Sequence, residues 1–482
     1  MEAGDDAVAW RWVSRLAVVA GIGASVLFVA VGLATRLQMF GDGSIFSYAI
    51  AAQDAWAFHW HNISGRLFVY LYAYVPAEAL VALTNSANAG IATYGLLFFA
   101  APLLGLLLTL FADCSKGRVL FTYACLSTAA LCPLVYGAPT EMWMAHALFW
   151  PTLALCLYAP QDARGRTAVF ASLLALILTH EGAIIFAATI LLAVFLRGWR
   201  HVLFARAVAA FAFAMAIWLI VKLAIRPDDY IAGVMNAAAF KFIDIGNLTE
   251  PVFVLLVVAI AVDDVMTIAF RRMAPRMAHI ISLIVCVILL ATYWFWFDRS
   301  LLAEDRYNLR TVLLILTPAF GLMATIQAMD ETARTQSPLP FLSTLAAAIE
   351  RACNPRIVFS ALVLTLLVHA VETTKLVWGW THYKAAVMTL ATGSASDPTL
   401  GDPHFVSAAR IDPALNRLSW HSTTPYLSVL LAPSMTPDRL VIDPRTGYFW
   451  LACDTAKQSE RDSAALPPDS RQLIRAYSCQ HR

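Results

Sequence analysis

Apolar residues come in blocks close to 20 long, broken by short polar segments, over most of the chain. A helix rising 1.5 Å per residue needs about 20 residues to cross the ~30 Å hydrocarbon core of a bilayer. The pattern predicts about 11 spans, near 13–35, 90–112, 119–137, 142–159, 167–179, 182–196, 203–225, 251–270, 278–296, 310–328 and 357–378. The stretch Leu67 to Leu83 is apolar enough to pass for another span but holds Pro76 and Glu78. It is expected as a membrane-surface helix in a first outer loop of about 36–89. Residues 44–60 are expected as an interfacial amphipathic helix with Phe46, Ile50, Ala57 and Trp60 on the membrane. The two shortest spans flank Thr179-His180-Glu181-Gly182 and predict a helical hairpin with a tight tip.

Charge decides the count. Arg11 and Arg15 precede the first span, which places the N-terminus in the cytoplasm. With 67–83 left out, Lys116/Arg118, Arg164/Arg166, Arg197/Arg200/Arg206, Arg271/Arg272/Arg276 and Arg334/Arg351/Arg356 all fall on that same side. Counting 67–83 as a span would invert the later loops against the positive-inside rule. The run Val13 to Thr35 is too long for a signal-peptide core and is read as a retained span. An odd count puts the C-terminus outside. Asp263 and Asp264 interrupt one span, near its cytoplasmic end or facing protein or water.

Composition agrees. The 482 residues are 60% hydrophobic and 14% charged, against about 25% charged for a soluble domain. A net charge of +2 suggests no nucleic-acid partner. The tail, 379–482, is rich in Pro, Asp, Ser, Thr and Arg, with short β-like runs at Leu427–Leu431 and Tyr448–Leu451. The expected fold is an all-α polytopic membrane domain over 1–378, with interfacial helices in its first outer loop, and a small α+β extracytoplasmic domain over 379–482. Cys453 and Cys479 are the pair of cysteines in the polar tail; joined, they imply an oxidising compartment and a loop closure of about 3–4 kcal/mol. Cys114, Cys125, Cys132, Cys156, Cys286 and Cys353 lie in or beside apolar segments without metal-ligand spacing.

The candidate chemistry gathers at the outer ends of the spans. Asp42, in Phe40-Gly41-Asp42-Gly43-Ser44, follows the first span on a Gly-flanked turn. It reads either as a general base for a hydroxyl or amine acceptor or as a helix cap. Asp54, His59 and His61 follow among tryptophans; the histidines read as metal or phosphate ligands or as part of an interfacial belt. Arg66 faces a phosphate or a lipid head group. Glu141 opens a span with His146 one turn deeper, and both are expected to face the protein interior or a cavity. His180 and Glu181 occupy the hairpin tip. Arg306 and Arg310 lie one helical turn apart and suit phosphate recognition or anchoring to lipid head groups. Lys222, Arg226 and Lys375, near outer span ends, are read as snorkelling. Nucleotide-binding, dinucleotide-binding, zinc-protease and serine-hydrolase signatures are absent from the sequence.

In this order the features resemble the GT-C superfamily of membrane glycosyltransferases, which includes lipid A aminoarabinose transferases and protein O-mannosyltransferases. Asp42 matches the family's catalytic acid in the first outer loop. Arg66 to Glu78 matches its Pro-containing apolar stretch, Glu141 its second outer-loop acid, Leu178-Thr-His180-Glu181-Gly182 its polar hairpin tip, and Arg306-Tyr307 its late Arg-Tyr. Two departures stand out: Asp42 lacks a neighbouring acid, which leaves a divalent metal open, and His180 replaces the usual Lys or Arg. The resemblance implies a polyprenyl-phosphate-linked sugar donor, a lipid, glycan or protein acceptor, and inverting transfer at the outer face of a bacterial inner membrane. Asp42 would take the acceptor's proton. Arg306, with Arg66 and His180, would meet the donor phosphate, and Glu141, Glu181, Asp54 and His59 would position acceptor or sugar. A lipid or small-molecule transporter, using Asp263, Asp264 and His146 along a path, and a non-catalytic envelope-assembly protein are the competing readings.

Overall fold

The computed structural model describes residues 3–56, 66–131, 141–225, 251–269, 275–296, 310–329, 355–393, 402–420, 423–442 and 465–480, with residues 344, 347 and 400. Helix α1 covers Ala3–Ala34 and ends where Arg36 turns left-handed, at φ 53°. α2 is Gly43–Ala51 and α3 is Leu67–Thr84, with one π-helical turn at Tyr70–Tyr74. There follow α4 (Ala87–Ala112), α5 (Val119–Leu131), α6 (Met142–Tyr158), α7 (Ala163–Ile177), α8 (Ala183–Arg197) and α9 (Val202–Ala224). Then come α10 (Pro251–Ala269), α11 (Pro275–Trp296), α12 (Arg310–Ala328) and α13 (Pro355–Ala391). The protein is mostly helical, and Ala9–Ala34, Leu67–Thr84, Ala87–Ala112, Val202–Ala224 and Pro355–Ala391 are long and apolar enough to cross a membrane.

Close contacts fix the helix directions. α4 runs opposite to α1: Gly95 packs on Gln38, and Gly32 on Phe99. α1, α5 and α13 run together, since Gly21 abuts the Cys125 backbone, His369 Nε2 meets the Ala130 carbonyl at 2.9 Å, and Trp380 Nε1 donates to the Thr35 carbonyl at 3.0 Å. Gly105 lets the backbone of Ala147 close against α4, and Gly321 admits the Phe149 ring against α12. A Cβ at either position would sit under 3.0 Å from its neighbour. The α4–α5 turn is tied by Asp113, whose carboxylate accepts the Ser115 and Phe121 N–H groups at 2.8 and 2.9 Å. Asp162 caps α7 by accepting the Gly165 N–H at 2.8 Å.

α3 lies antiparallel to the first part of α4. Its Val81 and Ala77 pack on Gly90, and Tyr72 donates to the Leu97 carbonyl at 2.9 Å. The deeper part of α4, at Phe99 and Gly105, packs on α1 and α6 instead. α3, expected as a surface helix, has the length and apolar composition of a span, and it packs on the Gly90–Leu97 part of α4.

Three expectations are corrected. The loop helix expected over 44–60 stops at Ala51, where Gln53 adopts φ 55°, and every residue from Gly43 to Ala51 is buried. α2 is clamped inside protein rather than laid on a surface. The boundary at 378/379 falls within α13, whose 37 residues reach about 55 Å, well past a ~30 Å hydrocarbon core. The run Leu427–Leu431, expected as β-like, belongs to a helix, α14 (Thr424–Leu431), started by Pro425 in its first turn. Tyr448–Leu451 lies outside the described residues. The strands that do form, β1 (Phe405–Ser407) and β2 (Leu440–Ile442), pair in parallel with Phe405 opposite Leu440. A last helix, α15, spans Pro468–Gln480.

The C-terminal segment docks on the first loop. Tyr426 of α14 meets Tyr48 of α2 edge-on at 5.2 Å, and Ser44 Oγ donates to the Thr423 carbonyl at 3.1 Å. Both regions thus sit at the same end of the bundle.

Candidate functional site

The chain turns sharply between α1 and α2. Gly41 adopts φ 58° and lies under the Trp420 indole; a Cβ there would come within 3.1 Å of two ring carbons. Glycine answers both demands. Asp42 occupies the N-cap position of α2 in a helical conformation (φ −56°, ψ −23°), and its side chain makes no capping hydrogen bond. The end of the helix dipole still favours an ionised carboxylate there. Asp42 is half-buried, and its charge acts on the phenols of Tyr74 and Tyr94, which hydrogen-bond to each other. Glu141 acts on the same two phenols. Phe46 of α2 packs its ring 5.4 Å from Tyr74 and 6.5 Å from Tyr94. Asp42 and Glu141, distant in sequence, therefore act electrostatically on one tyrosine pair.

Glu141 also stands at an N-cap position without capping, at the start of α6. Its Oε1 accepts from Arg66 Nη1 at 2.9 Å, and only 6% of its side chain is exposed. Arg66 precedes α3, whose start is pinned to the α7–α8 hairpin by Phe68 N–H donating to the Leu178 carbonyl at 3.0 Å. Arg66 Nε lies 3.8 Å from Glu181 Oε2, and Lys222 Nζ of α9 donates to Glu181 Oε1 at 2.9 Å. Burial opposes ionisation of Glu181, but Arg66 and Lys222 outweigh it and hold its carboxyl well below the usual range. His180 Nδ1 accepts the Gly182 N–H at 2.9 Å, so this nitrogen carries the lone pair and the ring braces the hairpin tip.

The structure thus joins Arg66, Glu141, His180 and Glu181 and links Asp42 to them through Tyr74 and Tyr94. Asp54 is buried just beyond α2, where Glu78 of α3 accepts the Ala55 N–H at 2.7 Å and closes the loop's packing. His59, Arg306 and Cys453 lie outside the described residues, as does the Cys479 side chain, although Cys479 falls on α15. Among the described residues no three His, Cys, Asp or Glu side chains group closely enough to hold a metal.

Sequence reading missed Lys222, Tyr74 and Tyr94. Lys222 looked like a snorkelling residue, yet it pairs with Glu181 and lies 5.8 Å over the Trp218 ring. An acid at a hairpin tip beside lipid needs a counter-ion, and a lysine ending the next span was the available signal. Tyr74 sits in the π-helical turn, a local widening common at functional sites that spacing alone does not reveal. His146, by contrast, is fully buried between Thr317 Oγ1, at 2.9 Å from Nδ1, and Thr128 Oγ1, at 3.3 Å from Nε2. It ties α5, α6 and α12 together. Asp263 is buried against α11, with Ser282 Oγ donating to its carbonyl at 3.0 Å, and Asp264 is half-buried.

Comparison of the chain with protein-family models, with curated proteins and with solved structures finds no match.

Proposed function

We propose that the protein is a membrane glycosyltransferase of the GT-C kind, with eleven spans and its site at the extracytoplasmic face. It transfers a sugar from a polyprenyl-phosphate donor to a lipid, glycan or protein acceptor with inversion. The observation that carries this reading is Asp42: a half-buried carboxylate in the turn after α1, at the start of the helix whose Phe46 packs on the Tyr74–Tyr94 pair. In the reaction an acceptor hydroxyl or amine attacks the anomeric carbon. Its proton passes to Asp42, the anomeric C–O bond to phosphate breaks, and polyprenyl phosphate departs with the electron pair. Arg66 is already held by Glu141, so it orders the site more than it neutralises a departing phosphate. That task falls to Arg306.

A transport path is less well supported, because His146 is engaged as a cross-link between helices. Asp42, Arg66, Glu141 and Glu181 gather at one end of the bundle instead. The test is a proteoliposome assay with a panel of polyprenyl-phosphate sugars, following release of polyprenyl phosphate. Asp42→Asn is expected to bind the donor and release none. Wild-type turnover in that variant sinks the mechanism, and failure of the wild-type chain to bind any such donor sinks the function.

A further inference from the structure

A second candidate site lies at the opposite end of the bundle. A cavity of about 440 Å³ opens between α1, α5, α10, α12 and α13. Its walls are almost entirely apolar, and they run from Val119 to Leu131 along α5 and from Leu316 to Gln327 along α12. Those stretches are about 16–18 Å of helix, close to the ~15 Å depth of a single leaflet. A volume of about 440 Å³ with apolar walls of that length is ample for one hydrocarbon chain. Val257, which lines the cavity, is 54% exposed on the lipid-facing side of α10, so the slot opens sideways to lipid.

Charge at the rim names the head group. Trp10 of α1 and Gly117 of the α4–α5 turn line the cavity's end. Arg11, Arg15 and Lys116 beside them are exposed. Arg118 is exposed too, with its guanidinium donating to the Leu110 and Asp113 carbonyls. These exposed cations suit the phosphate of an anionic lipid. We propose that the cavity seats an acyl chain of one anionic phospholipid from the leaflet opposite Asp42, with its phosphate held near Lys116 and Arg11. The proposal needs only the membrane location of the helices and is independent of the transfer reaction.

The test is native mass spectrometry of the full chain, ejected from nanodiscs of phosphatidylglycerol and phosphatidylcholine in equal parts with matched acyl chains. One retained phosphatidylglycerol per chain is expected. Ala361→Phe, which fills the cavity, should lower its retention at least tenfold. Arg11→Gln combined with Lys116→Gln should lower it roughly tenfold while leaving phosphatidylcholine unchanged. Equal retention of the two lipids by the wild-type chain overturns the proposal, as does full retention by Ala361→Phe. If Ala361→Phe does not fold, the surface double variant decides: unchanged phosphatidylglycerol retention there refutes the site.

Discussion

Glu141 and His146 stand little more than one turn apart on α6, yet the chain surrounds them with opposite chemistry. Glu141, at the helix's N-terminus, meets a guanidinium, and through Arg66 it joins Glu181 and Lys222 in a charged network. His146, inside the bundle, meets two threonine hydroxyls. A charged network is expensive to desolvate, and its partners must be complete. Neutral hydrogen bonds can be buried cheaply and simply register one helix on another. Placing this network at one end of the bundle and His146 within it separates a charged mouth from a packed interior.

The most severe way to test that separation is Asp42→Asn. The amide keeps the shape of the turn and loses the base, so transfer should fall about 10²–10⁴-fold with the thermal midpoint unchanged. Rates of polyprenyl phosphate release and melting curves in the same detergent check both halves. A drop in the midpoint as large as that from a core substitution would move Asp42 into the structural region.

Glu141→Ala comes next. It strips Arg66 of its 2.9 Å carboxylate partner. Loss of one partner of a buried pair costs about 3 kcal/mol, read from denaturant unfolding. Arg66→Met combined with Glu141→Leu should restore most of that stability without restoring transfer. If the double variant is as unstable as the single one, burial of an unpaired charge is not the cause.

His146→Leu should do less, and something different. It removes two hydrogen bonds, at about 1–2 kcal/mol in total, and leaves transfer intact. Loss of transfer at unchanged stability would put His146 in the reacting region and revive a path through the bundle.

The sequence revealed much of the frame and little of the site's wiring. Block length predicted apolar segments that each overlap a helix over the described residues, and the Thr179–Gly182 tip does join α7 to α8; Leu67–Thr84, expected on the membrane surface, is as long and apolar as a span. Those features depend on local composition, which hydrocarbon and membrane charge impose directly. The burial of α2 was not legible, because it depends on Tyr426 and Thr423, hundreds of residues away. Nor was the helix at Thr424–Leu431: Leu427–Leu431, four apolar residues around Ser428, is too short to carry a period, and Pro425 decided in favour of helix. For the site, Asp42, Glu141 and the tip could be picked out as polar residues at span ends. Which cation pairs with which acid could not, because Lys222, Arg66 and Glu181 come from three separate elements.

Lys222→Met offers the mildest test and concerns that last pairing. Lys222 helps hold the Glu181 carboxyl below its ordinary value. A carboxyl depressed in the folded state adds stability that is complete above its unfolded value near ~4.3 and fades as pH falls below it. The Lys222–Glu181 pair is partly open to solvent, with 30% of the Glu181 side chain exposed, so its worth at pH 6 is about 1 kcal/mol. Unfolding midpoints for wild type and Lys222→Met should therefore differ at pH 6, and the gap should close only as pH falls through the depressed folded value of Glu181, well below ~4. An ammonium that acts through charge must also lose its effect as salt screens the pair. A gap that survives ~1 M salt unchanged would assign Lys222 to packing against Trp218, and the charged region would then end at Glu181.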